Sequence, residues 1–340
     1  MNRTIVPLLA AALALAACDG NPFGPAPTPP ANPNPDPGGI DGDRTLPPGT
    51  ASPTRDRRIV RFEPTGTGSR AGDGFVSEVA YDAATDTFTI ENLGFDGDNR
   101  YARGVRVGSL GPYAVYENAD VFNDPQTGAP IGQFTHRALY GVSPSGDTQF
   151  AIVRTGAYTG YGFGGFVYQR NGSVVLPTSG QAAYSGAYAA LRDFDGRGGI
   201  EFSTGDMEIA IDFNDFNLGN AVQGAVFNRA IFDSDGRDIT TDVVRALSDR
   251  TGVPQTVLPT LLFKVGPGVM DRNGEIVGDL DSSTLTSGGA VRVYEDGKYY
   301  AVVSGANAQE IVGIIVVEAD DPRYTGVKVR ETGGFLLSRP

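Results

Sequence analysis

The stretch "GDMEIAIDFND", Gly205 to Asp215, alternates apolar and polar residues over its whole length. In an extended chain one face carries four apolar side chains, Met207, Ile209, Ile211 and Phe213. The other face carries Asp206, Glu208, Ala210 and Asp212. A period of two residues is typical of a strand with one dry and one wet face, so we predict an amphipathic antiparallel strand here.

Seven further runs of this kind lie in the second half of the chain, and connections of hairpin length or a little more separate them. They are Ala182 to Leu191, Ala221 to Phe232, Thr260 to Gly266, Gly274 to Leu280, Lys298 to Gly305, Glu310 to Glu318 and Thr332 to Arg339. Eight strands without helices to cover a sheet are expected to close on themselves, because closure removes exposed edges. We therefore predict an all-β chain with an eight-stranded antiparallel β-barrel over 176–340.

The first half is also rich in strands but less regular, and we predict a small β subdomain over 57–175. Its clearest signal is "VAYDAATDTFTI", in which Asp82 and Asp86 bracket a turn between two alternating runs. Such a pattern favours a β-hairpin.

The order of four phrases in the second half resembles the barrel domain of transferrin-binding protein B-like lipoproteins. The phrases are "LPTSGQAAYSGAYAAL", "STGDMEIAIDF", "YYAVVSGANAQEIVGIIVVE" and "ETGGFLLSRP". The pattern positions are Tyr184, Gly186, Gly205, Asp212, Phe213, Gly305, Ala308, Glu310 and Gly313.

The resemblance implies that residues 57–175 correspond to a handle subdomain, and that the protein binds a ligand in iron or nutrient uptake with an outer-membrane receptor. The chain has one such lobe where transferrin receptors have two, so transferrin itself is not implied as the ligand. From the residues alone, Tyr184 and Tyr188 are expected to fill the barrel. Glu310 is either a ligand-binding acid or, as we favour, a hydrogen-bond partner of the backbone in the turn from Ser304.

The only cysteine, Cys18, follows a short apolar run and the residues Leu15-Ala16-Ala17. This resembles the lipobox of bacterial lipoproteins and predicts a signal peptide over 1–17 and lipidation at Cys18. Several acyl chains would hold the protein to the outer membrane, with the chain either at the cell surface or facing the periplasm. The alternative is an ordinary signal peptide with an incidental cysteine, and Asp19 leaves inner-membrane retention open.

Between Asn21 and Pro53 lie 11 of the 23 prolines of the chain. Such a composition cannot form a core, so residues 18–56 are predicted to be a disordered Pro-rich linker.

Charge and residue inventory exclude several functions. Without the signal peptide the chain has 26 basic and 40 acidic residues, a net charge of 26 − 40 = −14. This charge disfavours binding of nucleic acid. The single histidine, His136, lies in a strand-like run, and no G-x-S-x-G motif occurs, so we predict no enzyme activity. "DSDGRD", from Asp233, and "DFDGRGG", from Asp193, lack the later glutamate of a calcium loop and are read as turns. We therefore predict neither a metal site nor a cofactor.

Two segments are candidate partner-binding sites. In "GAYTGYGFGGFVYQR", Tyr161, Phe163 and Phe166 alternate with glycines and either form an aromatic surface or, as we favour, pack between the two subdomains. In the segment Asp238 to Leu262 a short helix is predicted from Thr240 or Thr241 to Gly252. Its candidate residues, with those of the loop that follows, are Val244, Leu247, Val257 and Leu258. This insert either caps the barrel, which we favour, or contacts a partner.

Together these observations predict a lipid-anchored outer-membrane protein that captures a protein or small solute. The alternative is a structural or assembly lipoprotein that binds no small ligand.

Overall fold

The described chain is all-β apart from one helix, as the sequence predicts. The computed structural model describes residues 45–64, 74–76, 78–93, 99–118, 123–129, 136–156, 160–214, 221–264 and 269–339. The predicted signal peptide, Cys18 and most of the predicted linker lie outside these residues.

Nine strands form one antiparallel sheet, called here the N-terminal sheet, in the order β1-β9-β8-β7-β6-β4-β3-β2, with β5 beside β6. Their bounds are β1 Ile59–Phe62, β2 Glu78–Asp82, β3 Thr87–Glu91, β4 Arg100–Arg103, β5 Ser109–Leu110, β6 Tyr113–Glu117, β7 His136–Val142, β8 Thr148–Thr155 and β9 Gly164–Arg170. The predicted hairpin is β2–β3, and Asp86 in its turn has a positive φ of 51°.

Eight further strands close into the predicted antiparallel barrel. They are β10 Gln181–Asp195, β11 Glu201–Asp212, β12 Val222–Phe232, β13 Leu261–Phe263, β14 Glu275–Leu285, β15 Val291–Ser304, β16 Glu310–Asp320 and β17 Lys328–Ser338. Each overlaps one of the eight runs predicted from the sequence, and β17 closes the barrel by pairing with β10.

The glycine-rich aromatic segment contains a strand that the sequence did not predict. It forms β9, which pairs with β1 on one side and β8 on the other. The glycines permit close packing, since a Cβ at Gly165 would lie 2.7 Å from the Val76 side chain. The short strands β4 and β5 were also not predicted.

The apolar face of β11 points into the barrel, as predicted. Met207, Ile209, Ile211 and Phe213 are all buried in the barrel core. The opposite face is exposed at Asp206 and Glu208, but the expectation was wrong for Asp212, which is buried. Its carboxylate accepts hydrogen bonds from the Gln181 side chain at 2.9 Å and the Asn214 N–H at 2.9 Å, so it serves the strand end rather than solvent.

The N-terminal sheet has buried side chains on both of its faces, and one of these faces packs on the barrel. On β8, Phe150 and Ile152 lie in a cluster that includes barrel residues, whereas Ala151 and Val153 lie in a separate cluster on the other face. This explains why "TQFAIVRT" is almost continuously buried. The sheet covers the side of the barrel formed by β10, β15, β16 and β17.

Buried ion pairs connect the sheet to the barrel. Arg61 on β1 makes a bidentate pair with Glu275 on β14, at 2.6 and 2.9 Å, and both side chains are buried. Arg154 on β8 pairs with Glu63 of the N-terminal part at 2.8 Å, lies 3.9 Å from the Asp193 carboxylate of β10 and donates to the Thr332 hydroxyl of β17 at 2.7 Å. Buried charges are tolerated only when paired, so these contacts hold the two parts in one arrangement.

One tyrosine of the sheet enters the barrel wall. Strands β10 and β17 keep one register on both sides of this point, where Ser185 pairs with Ser338 and Tyr188 pairs with Phe335. Between these pairs, Ala187 and Leu336 do not pair directly. The Tyr113 hydroxyl donates to the Ala187 carbonyl at 2.6 Å and accepts from the Leu336 N–H at 2.9 Å. A side chain thus bridges two strands at the closing seam.

The helix α1, Thr240–Thr251, lies between β12 and β13 and ends as predicted at Gly252, whose φ is 68°. The predicted threonine cap was wrong, because the N-cap is Ile239 and the Thr240 hydroxyl instead accepts from the Ile231 N–H at 2.8 Å. In the described ranges no helix is both long and apolar enough to span a membrane.

Candidate functional site

A cleft of about 370 Å³ lies on the face of the N-terminal sheet that points away from the barrel. Its walls come from the two end strands, with Val60 and Phe62 on β1 and Val79 and Tyr81 on β2. Because strands at opposite ends of the sheet line one space, the sheet curls toward itself without closing. The floor is formed by apolar side chains, Phe88, Ala151 and Val167. Its size is within the range of pockets that hold small ligands.

Polar side chains occupy fixed positions at this cleft. Arg58 donates to Gln169 Oε1 at 2.6 Å, and the Tyr140 hydroxyl donates to Gln149 Oε1 at 3.0 Å. Glu78 adds a carboxylate. A concave apolar surface with a few oriented polar groups is the usual chemistry of a binding site.

The β2 wall is held by Asp86 in the β2–β3 turn. Its carboxylate accepts hydrogen bonds from Arg103 at 3.0 Å, from the Tyr116 hydroxyl at 2.7 Å and from the Tyr81 hydroxyl at 3.1 Å. The Arg103 bond, followed by the Tyr116 bond, lowers the pKa of Asp86 below its ordinary value. Asp86 therefore fixes Tyr81, a wall residue of the cleft, through its ionised form.

The barrel interior is filled at its apolar end by rings that lie over glycines of neighbouring strands. A Cβ added at any of these glycines would overlap the facing ring; the pairs are Gly224 with Phe263, Gly278 with Tyr299, Gly313 with Phe335 and Gly333 with Tyr188. Phe263 and Tyr299 also stack at 3.7 Å. Tyr184 and Tyr188 fill the interior as predicted.

The other end of the interior contains a closed ionic network. Arg229 makes a bidentate pair with Glu295, at 2.7 and 2.8 Å, and also donates to Glu331 at 3.2 Å. Tyr188 donates to Glu331 at 2.9 Å, and Ser282 donates to Glu295 at 2.6 Å. Burial raises the pKa of Glu295 and the Arg229 charge lowers it, with a net direction downward. These acids are occupied by protein partners.

Two of the three aromatic residues of the first predicted partner-binding segment, Tyr161 and Phe166, lie at the junction of sheet and barrel. Tyr161 is buried, and the Arg330 guanidinium lies 4.3 Å from the centre of its ring. Phe166 is also buried, and its ring centre lies 5.9 Å from that of Tyr300 in the barrel. Phe163 is half-buried and meets Phe75 edge to face at 5.8 Å. Tyr161 and Phe166 thus pack between sheet and barrel, as favoured from the sequence, whereas Phe163 packs on a residue of the N-terminal part. Any role of these residues in binding stays a prediction.

The second predicted segment is attached to the barrel wall. Val244 and Leu258 pack with Ile239, Val243 and Ile231 of β12 in one small cluster, and Leu247 is also buried. Val257 is 69% exposed, so it is the one of the four candidate residues that solvent or a partner reaches freely. Its role as a contact also stays a prediction. Cys18 lies outside the described residues.

Other residues considered from the sequence have structural partners. His136 is buried on β7 beside the Tyr101 ring.

Glu310 accepts a hydrogen bond from Thr148 of the N-terminal sheet at 3.0 Å, so the expected bond to its own turn was wrong. Gln309 serves that turn instead, by accepting from the Asn307 N–H. Asp233 caps its predicted turn. The second predicted turn also exists, since β10 ends at Asp195 and β11 begins at Glu201, but Asp193 lies within β10 and pairs with Arg330 at 2.8 Å. No group of three or more His, Cys, Asp or Glu suited to a metal was found in the described part of the chain.

Sequence reasoning missed the cleft. The alternation of Gln149, Ala151 and Val153 with barrel-facing residues was visible as a strand, but both faces of that strand are buried. Only the curl of the sheet, which brings β1 near β2, creates the space.

The comparisons with known proteins give limited similarity. No family model matches the chain, and no curated protein matches it. A solved structure of transferrin binding protein B from Haemophilus parasuis Hp5, a vaccine antigen carrying one substitution, is similar at a TM-score of 0.36 and 11% identity, over 84% of this chain and 51% of that one. Its double mutant gives a TM-score of 0.35 and 12% identity, over 77% and 42%.

The intact two-lobed Ap-TbpB is similar at a TM-score of 0.33 and 12% identity, over 84% of this chain and 53% of that chain. This chain thus spans about half the length of these structures. TM-scores this low do not place the chain in a family.

Proposed function

We propose that the chain is a lipid-anchored outer-membrane protein that captures a ligand, a protein or a small solute, at the cell surface. The observation that carries the proposal is the cleft, an open space with an apolar floor and oriented polar side chains on the sheet face that the barrel leaves free. The residues before Cys18 support the anchor, and the acidic charge suits a surface in water. Iron or nutrient uptake with an outer-membrane receptor stays an expectation from the sequence resemblance.

The cleft is a better ligand site than the barrel interior. Rings over glycines fill one end of the barrel, and paired acids and arginines fill the other. A solute would have to displace these side chains, whereas the cleft is already open.

The competing function is a structural or assembly lipoprotein. The observation that favours it is the filled barrel joined to the sheet by the buried pairs Arg61–Glu275 and Arg154–Asp193, since a solid body of this kind is suited to act as a scaffold.

A capture experiment separates the two functions. The purified chain is used to retrieve ligands from surface-labelled cells and culture medium, beside the variant Ala151→Phe, which fills the cleft floor. The control Ala102→Phe adds the same ring at an exposed position. We expect stoichiometric capture by wild type and the control, and loss with Ala151→Phe. Equal capture by all three, or none by wild type, would count against the cleft.

The anchor is tested separately. Cys18→Ser should abolish incorporation of a clickable fatty acid and release the protein from the membrane fraction. Protease treatment of intact cells should remove the barrel epitope. A wild-type protein that takes up no lipid would contradict the anchored form.

A further inference from the structure

Strand β2 is an end strand of the N-terminal sheet and pairs with β3 on one side. Among the described residues, no strand pairs with its other side. Its sequence, "EVAYD", has acids only at its ends, and the central Val79-Ala80-Tyr81 contains none of the lysines or prolines that commonly protect an edge. This edge is therefore open to another strand.

The register identifies which backbone groups face the open side. The Ile90 N–H donates to the Asn99 carbonyl at 3.1 Å, so the backbone groups of Ile90 point toward β4 and away from β2. Its partner on β2 is Val79, and that pair is consequently a non-hydrogen-bonded one. The same alternation applies two residues on, at Tyr81 and Phe88. The N–H and C=O groups of Val79 and Tyr81 therefore point outward from the sheet.

The side chains of these same two residues line the cleft. A strand added beside β2 would place every second side chain on the cleft face, because residues in register share a face. There it would meet the apolar floor of Phe88, Ala151 and Val167, with Arg58 and Glu78 among the surrounding polar groups. The backbone donors and the cleft thus fit one kind of occupant, an extended chain with alternating apolar side chains.

The other wall of the cleft is not open in this way. The Thr50 N–H donates to the Val60 carbonyl at 3.0 Å, and the Phe62 N–H donates to the Pro48 carbonyl at 2.8 Å. Residues 48–50 thereby cover the free side of β1. Of the two described end strands that line the cleft, only β2 therefore offers an uncovered edge to an incoming strand.

We propose that β2 is a docking edge for an extended peptide segment of a partner protein, which adds a strand to the sheet and inserts an apolar side chain into the cleft. This deepens the proposed function, on which it rests, by naming the class of ligand. Main-chain hydrogen bonds would supply affinity and the cleft would supply side-chain selectivity.

The test uses the full chain and a displayed library of random peptides of about ten residues, long enough for one strand. A selected peptide is synthesised with its ordinary backbone and with N-methyl groups on alternate amides. Alternate amides of an extended peptide point to opposite sides, so only one of the two possible methylated peptides loses the N–H groups that face β2. We expect that peptide to bind about tenfold or more weakly than the ordinary one, because its main-chain hydrogen bonds are lost. Hydrogen exchange at the Val79 and Tyr81 amides should slow by about tenfold on binding.

Two protein variants check the position. Val79→Pro removes an outward N–H that β3 does not use, so it should abolish peptide binding while Ile90 keeps its exchange protection. Where this variant fails to fold, Ala151→Phe leaves the β2 backbone intact and fills the cleft, and it should reduce affinity as well. Unchanged exchange at Val79 and Tyr81, equal binding of both peptide backbones, or a library without binders would overturn the proposal.

The outcomes also separate this proposal from the proposed function. Capture of a cellular ligand by wild type and Val79→Pro alike would leave the function standing and reject the docking edge. Selected peptides that protect Val79 and Tyr81, with no ligand captured from cells, would support the edge and count against the function.

Discussion

The Tyr113 hydroxyl accepts a hydrogen bond from the Leu336 backbone N–H at 2.9 Å, inside the seam where the last barrel strand meets the first. The same hydroxyl donates to the Ala187 carbonyl at 2.6 Å. One side chain of the N-terminal sheet thus completes the backbone hydrogen bonding of the barrel, and the barrel wall depends on the sheet at this point.

Tyr113→Phe is expected to lower the free energy of unfolding by about 1–3 kcal/mol, because it leaves two partly buried backbone groups without this partner. Urea denaturation of the purified protein measures the change. Tyr81→Phe removes a hydroxyl from a 40% exposed side chain and should cost about 0.5 kcal/mol or less. Similar losses for both variants would show that the seam bond is unimportant.

Ile211→Asp should prevent folding, because it places an unpaired charge among apolar side chains inside the barrel. Glu208→Gln, on the exposed face of the same strand, should change the unfolding free energy by about 0.5 kcal/mol or less. Circular dichroism and thermal melts distinguish the two. A well-folded Ile211→Asp protein would contradict the inward orientation of this face.

Arg61→Met should destabilise the protein by about 3–5 kcal/mol, because it strands the Glu275 carboxylate at the junction. Glu275→Leu alone should have a comparable effect, since it strands the guanidinium. The double variant should be more stable than either single one, because no unpaired charge remains. Strictly additive losses in this double-mutant cycle would show that the two side chains do not interact.

Acid should loosen the β2–β3 hairpin. The pKa of Asp86 is lowered by its Arg103 bond, so its contribution to stability is present above the ordinary value of about 3.9 and is lost as the pH falls through the lowered pKa. The carboxyl carbon shift of Asp86, followed by NMR, reports this titration. Arg103→Met should raise the Asp86 pKa and leave that of Asp82, held by Thr85, unmoved. Equal movement of both would point to a general charge effect.

Replacing residues 243–258 by a short Gly-Ser link should lower the melting temperature, because it removes Val243, Val244 and Leu258 from the cluster that covers Ile231. An unchanged melting temperature together with lost ligand capture would instead identify the insert as a partner contact. Val257→Ser supplies the control, since it alters only an exposed side chain.

The barrel was predictable because its strands obey a simple alternation with one apolar face, as the run from Met207 to Phe213 does. The end of that pattern was less certain. Asp212 has the residue type of the wet face, yet neighbouring Gln181 and Asn214 bury it at the strand terminus. Residue type cannot reveal a carboxylate that is used as a local acceptor.

The candidate site was not predictable for a different reason. The glycines of the segment Gly164–Arg170 favoured packing between the two subdomains but did not indicate a strand, whereas Gly164 and Gly165 allow β9 to pack closely within the sheet. The cleft depends on how far the sheet curls, and curvature arises from contacts between distant strands such as β1 and β2. Local sequence carries no direct sign of either.

The pairing of β17 with β10 bears on the order of events during synthesis. Residues about 140 positions apart, such as Asp193 and Arg330, must meet before the barrel closes, and β17 also presents Thr332 to Arg154 on β8. A ribosome-bound chain that has not yet released β17 lacks the partner of two strands and one anchor of the sheet. Native closure therefore has to wait until β17 is available, and loop-closure entropy over such a span slows it. Until β17 pairs, the barrel therefore keeps two open strand edges, one on β10 and one on β16.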